Sequence, residues 1–171
     1  MKSRLRGFSL IEIIVVLSIV TLLFGLLGNN FYISKEREAL KGASSQLRSF
    51  VSYIRQKSVT VVVPDGCSPA NFRGYGIFLN NGILQQVYYC PAPYTVVSSL
   101  NLAAYAHISL TLGSGSPAVG YFKRETAEFV DASGVKTEIS IILSNGFIDK
   151  CESITIDEFG LITSNDNVTC P

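Results

Sequence analysis

One carboxylate inside a long apolar run constrains this chain more than any other feature. After a basic opening that contains Lys2, Arg4 and Arg6, residues 8–30 hold a single charged side chain, Glu12. An ionised acid within a membrane span costs roughly 2.5–3.5 kcal/mol near its centre, so an acid at the start of such a run calls for a compensating charge. The neighbouring residues suggest its source. Cleavage after Gly7 would leave a charged amine on Phe8 and make Glu12 the fifth residue of the shortened chain. A second copy, parallel and shifted along the axis, could then set its own amine against this carboxylate, and mutual desolvation would strengthen the pair while both stay charged. The run therefore reads as an assembly device.

Gly7, Phe8 and Glu12, in the wording Phe8-Ser9-Leu10-Ile11-Glu12, resemble the class III signal of type IV pilins and type II secretion pseudopilins. In that family a short basic leader ends in Gly, followed by Phe and a hydrophobic helix with Glu at its fifth position. The resemblance implies cleavage after Gly7 by a membrane prepilin peptidase, N-methylation of Phe8, and a docking role for Glu12. It also implies other pilins or pseudopilins as partners through the N-terminal helix. Before assembly the chain would sit in the bacterial inner membrane with its C-terminal domain in the periplasm or exterior. Residues 47–59, 74–79 and 154–157 with 159–161 lean toward minor pseudopilin H-like proteins, and Glu12 sets the chain apart from the tip pseudopilin K type, which lacks that acid. The implied function is a structural minor pseudopilin of a type II secretion system that helps initiate or cap the filament. The alternative is a minor pilin of a type IV or DNA-uptake pilus.

Two plainer readings of the N-terminus explain less. An ordinary secretory signal needs small residues at a cleavage site after its apolar core, and residues 22–30 offer only Gly25 and Gly28. A plain signal anchor fits the hydrophobicity but accounts for neither Glu12 nor the Gly7-Phe8 junction. The basic side chains before the run orient it with the leader cytoplasmic and the bulk of the chain exported.

A length of 171 residues leaves room for one exported domain beyond the apolar segment. Loss of the leader's three cations would leave eleven basic against thirteen acidic side chains. No basic stripe survives, so no nucleic-acid partner is expected. All four cysteines, Cys67, Cys90, Cys151 and Cys170, fall in the exported part, where an even count favours disulfides. Three pairings are open. Chain order makes Cys67 with Cys90, and Cys151 with Cys170, the simplest.

Periodicity divides the chain as 1–7 leader, 8–30 hydrophobic helix, 31–58 amphipathic continuation of that helix, and 59–171 β-rich domain. Leu40, Ala43, Leu47, Phe50 and Ile54 recur at helical spacing among charged residues, and no proline occurs before Pro64. One helix of about fifty residues, roughly 75 Å long, follows from this. Gly25, Gly28, Asn29 and Asn30 are its weak point. After Pro64 the period becomes two, with strands expected at 59–63, 74–79, 83–89, 106–112, 119–123, 127–131, 138–143, 153–157 and 161–163. Hairpin turns are expected at residues 80–82, 133–134, 145–146 and 158–160, with an exposed loop at 113–117. The fold class is α+β, type IV pilin-like, with the long helix packed on a small antiparallel domain.

Enzyme chemistry is not expected. His107, the only histidine, lies in an alternating segment read as a strand, and no Gly-x-Ser-x-Gly elbow or phosphate-binding glycine pattern occurs. Glu125 with Glu128, and Asp157 with Glu158, read as solvated neighbours. Tyr88, Tyr89 and Tyr94 beside Cys90 read as packing. Asp157, Glu158, Asn165, Asp166 and Asn167 could offer oxygens to calcium, but such a site needs six or more converging ligands and a hairpin turn explains them equally well. No metal and no cofactor are expected.

Overall fold

The computed structural model describes residues 9–60, 62–90, 94–102 and 104–170, with backbone alone at 26–30 and 167. A single helix, α1, spans Leu10–Val59 without a break, including the Gly/Asn segment expected to weaken it. Helical propensity is low there, yet no proline removes a backbone donor, so the hydrogen-bonded ladder continues. Leu40, Ala43, Leu47, Val51 and Ile54 are buried on the domain. Phe50, expected in this stripe, is only partly buried, and Val51 takes the inner position instead.

Nine strands follow: β1 (Gly74–Asn80), β2 (Ile83–Tyr89), β3 (Thr95–Ser99), β4 (Ile108–Leu112), β5 (Val119–Lys123), β6 (Phe129–Asp131), β7 (Ile139–Asn145), β8 (Lys150–Ile156) and β9 (Ile162–Val168). They form two antiparallel sheets, ordered β3-β2-β1-β5-β6 and β4-β7-β8-β9. α1 lies against β1 and β5 of the first sheet and β7 and β8 of the second. The main core lies where helix and sheets meet. Tyr75, Ile77, Phe122 and Phe129 of the first sheet join Ile141, Leu143, Ile154 and Ile156 of the second there. This is the α+β, pilin-like arrangement that the sequence predicts.

Local chemistry explains the turns. Asn81 and Gly82 both have positive φ, 49° and 76°, which suits a two-residue hairpin whose twist matches its strands. Asp131 Oδ1 accepts from the Ser133 and Val135 amides at 2.9 and 3.0 Å and shapes the turn after β6. In β1, Gly76 pairs with Tyr121 of β5, and a Cβ on Gly76 would lie 2.7 Å from the Tyr121 Cα. Only glycine allows that approach.

Three expectations are corrected. The strand expected at 59–63 does not form among the described residues, and Val59 ends α1 instead. Ser58 ends the buried helical face, its Oγ bonding both the amide and the carbonyl of Tyr75, and residues 62–63 beyond the helix are irregular. His107 precedes β4 in a turn with φ of 67°, so the strand expected at 106–112 begins only at Ile108. β3 had no counterpart in the expected strands. All five of its residues are exposed, so it lacks the one-sided alternation that marks a half-buried strand, and it exists by pairing with β2 at the sheet edge.

Candidate functional site

The first half of α1 starts with a cap. Ser9 adopts an extended backbone (φ −77°, ψ 149°), and its Oγ accepts from the Glu12 amide at 3.3 Å. Ser-x-x-Glu is the capping-box pattern, and an acid in the first turn also complements the helix dipole. The cap role of Ser9 is not among the sequence expectations, although the Ser-x-x-Glu spacing carries it. The Glu12 amide makes the bond to Ser9, and the Glu12 side chain is exposed next to Ile13, Val16 and Leu17. Gly7 and Phe8 lie outside the described residues.

Residues 10–25 pack against no other part of the described domain and are exposed throughout, from Leu10 at 77% to Phe24 at 72%. Their few hydroxyls do not spoil the apolar surface. Ser18 donates to the Ile14 carbonyl at 2.8 Å and Thr21 to that of Leu17 at 2.9 Å, so both are satisfied within the helix. Among the described residues no helix is long and apolar enough to cross a membrane.

The domain is fastened to the second half of the helix by more than its apolar stripe. Asn145, at the end of β7 and almost fully buried, donates through Nδ2 to Glu36 Oε2 at 2.8 Å. Its Oδ1 accepts from the Phe147 and Ile148 amides at 3.0 and 3.4 Å, so one side chain holds both the helix and the β7–β8 turn. Two disulfides, Cys67–Cys90 and Cys151–Cys170, have Cα separations of 6.0 and 5.4 Å. The first ties the segment after α1 to the end of β2, and the second ties β8 to the end of the described chain.

The other singled-out residues have structural surroundings. Tyr89 and Tyr94 join Tyr121 and Phe78 in a second apolar cluster on the face of the five-stranded sheet away from α1, with Tyr89 and Tyr121 centroids 4.4 Å apart. Burial, then the neighbouring hydroxyls of Tyr94 and Tyr121, push the Tyr89 phenol well above its ordinary range. Tyr88 faces the main core. His107 is exposed, its ring 5.9 Å from Phe147. Glu128 accepts from Lys136 Nζ at 2.6 Å, and that hydrogen bond is the main reason its carboxyl lies below the usual range. Asp157 Oδ1 accepts from the Phe159 and Leu161 amides in the β8–β9 turn, beside Glu158, whereas Asn165 lies along β9 opposite Ser153. Among the described residues no three or more His, Cys, Asp or Glu side chains are grouped to hold a metal ion.

Comparison with protein families matches residues 2–28 to the prokaryotic N-terminal methylation motif. That segment contains Gly7, Phe8, Ser9 and Glu12, and its match is consistent with the type IV pilin and pseudopilin family. No curated protein and no solved structure matches the chain.

Proposed function

We propose that this chain is a non-enzymatic filament subunit, a minor pseudopilin of a type II secretion system that helps initiate or cap a short pseudopilus. The observation that carries the reading is an N-terminal methylation motif on a helix whose apolar first half has nothing in the domain to bury it. Apolar surface on that scale is stable only in lipid or against other apolar surface. The inner membrane supplies the first environment, and parallel helices of neighbouring subunits supply the second. Prepilin peptidase cuts after Gly7 and methylates Phe8. Glu12 then sets register by taking the amine of an adjoining subunit, since a desolvated carboxylate is tolerated only beside a cation.

Two variants test these roles separately. Gly7→Ala should retain the leader, read as the unshortened mass of the purified chain. A mature mass from that variant overturns the cleavage site. Glu12→Ala should be shortened and held in the membrane like the parent but absent from sheared filaments. Normal incorporation of Glu12→Ala overturns the register role.

A further inference from the structure

We propose that the outer face of the five-stranded sheet carries a binding site for a carboxylate side chain of an acidic peptide segment on a partner protein. The site is a pocket of about 490 Å³ at the end of the sheet where β1 begins and β5 finishes. That volume falls within the ordinary range for small-ligand sites, about 300–1,000 Å³. Three cations, Arg73, Lys123 and Arg124, line it against one carboxylate, Glu125.

The walls are held in place. The Cys67–Cys90 disulfide anchors the segment that carries Pro69 and Phe72, and the Phe72 amide donates to the Ser68 carbonyl at 3.0 Å. Arg124 fastens this wall to the sheet, donating from Nη1 to the Pro69 carbonyl at 2.9 Å and from its amide to the Arg73 carbonyl at 3.0 Å. Its guanidinium is thereby fixed before any ligand arrives, and less entropy is lost when a carboxylate docks on it.

Three cations against one carboxylate leave the lining net positive, which points to an acid as the ligand. Arg124 Nε is shielded from solvent and makes no hydrogen bond among the described residues. Glu125 Oε1 forms an ion pair with it at 3.4 Å from a side chain 72% exposed. No ligand reaches that shielded atom, so an incoming carboxylate is held by the solvent-facing Arg73 and Lys123 and by the exposed part of the Arg124 guanidinium. Glu125 also has φ of 74°, unfavourable for a residue other than glycine, and Ala127 in the same turn has 58°.

The position suits a partner contact. Ser58, at the far end of α1, bonds the Tyr75 backbone beside this sheet end, so packing of the apolar first half leaves the pocket uncovered. An extended nucleic-acid strand fits less well. Lys136 is engaged by Glu128 and Lys150 lines a different cleft, so among the described residues neither extends the pocket's charge along a phosphate backbone.

The test uses the full chain in detergent micelles and fluorescence anisotropy with labelled hexaglutamate, hexaglutamine and an oligothymidylate of equal charge. Hexaglutamate should bind, weaken about tenfold in Arg73→Gln and in Arg124→Gln, and weaken between about 50 and 200 mM salt. Glu125→Gln should tighten it severalfold by removing the competing acid. Because Arg124→Gln also loosens a wall, Arg73→Gln, on an exposed side chain, decides the matter. Failure of hexaglutamate to bind, equal binding of hexaglutamine, or no change in Arg73→Gln overturns the proposal. Tighter binding of the oligothymidylate overturns it in favour of nucleic acid.

Discussion

Between residues 10–25 and residues 40–58, α1 keeps one hydrogen-bonding pattern while its surroundings invert. In the later segment the apolar side chains form a stripe, and Leu47, Val51 and Ile54 have no solvent exposure at all. In the earlier segment they surround the whole helix and every one is exposed. A stripe needs one partner face, and the two sheets provide it. An all-round apolar surface needs an apolar medium, and the described domain offers none. The contrast separates two kinds of stability: the second half of the helix is held by its own chain, whereas the first half waits for lipid or for other subunits.

The largest expected effect would break this comparison outright. Leu47→Ala should destabilise the domain by about 2–5 kcal/mol in denaturant unfolding followed by near-ultraviolet circular dichroism. Leu17→Ala in the exposed half should stay within about 0.5 kcal/mol on the same assay while lowering filament incorporation. Equal losses would mean that the two halves do not differ in what buries them. A smaller effect sharpens the point. Asn145→Ala should cost about 1–3 kcal/mol, since it removes the hydrogen bond to Glu36 and leaves the Phe147 and Ile148 amides without their side-chain acceptor. Unchanged stability would show that the apolar stripe alone fastens helix to domain.

The smallest effect is a pH dependence confined to the domain. Glu128 lies below its ordinary range chiefly through the Lys136 hydrogen bond, and Asp131 chiefly through the Ser133 hydroxyl. A carboxyl lowered in the folded state stabilises it above the unfolded pKa, about 4 for these side chains, and loses that contribution as pH falls through the folded value. Thermal melts should therefore shift downward on acidification below about pH 4, and the shift should shrink in Asp131→Asn. A shift of equal size in that variant would remove Asp131 from the account.

Much of the fold was legible because it is written in short-range pattern. Absence of proline before Pro64 and the 3–4 spacing from Leu40 to Ile54 predicted one long helix, and alternation located β1, β2 and β5 closely. Errors fell where local pattern and tertiary context disagree. Val59 looks like a strand former yet ends the helix, His107 sits in alternation yet occupies a left-handed turn, and β3 has no buried face to mark it. At the candidate site, Glu12 stands out through its charge, whereas the Ser-x-x-Glu spacing that marks Ser9 as a cap is a weaker signal than a lone acid in an apolar run.

By itself the sequence determined the N-terminal signal, the apolar run with its single acid, and the change of period after Pro64, since each rests on residues adjacent in the chain. Only the tertiary structure decided the rest. Which strands pair across the two sheets, which face of the first sheet meets α1, and the meeting of Arg73 with Lys123 and Arg124 all depend on long-range register. Antiparallel pairing energy is similar for many partners, so it is the simultaneous burial of the helix stripe and the sheet faces that selects one arrangement.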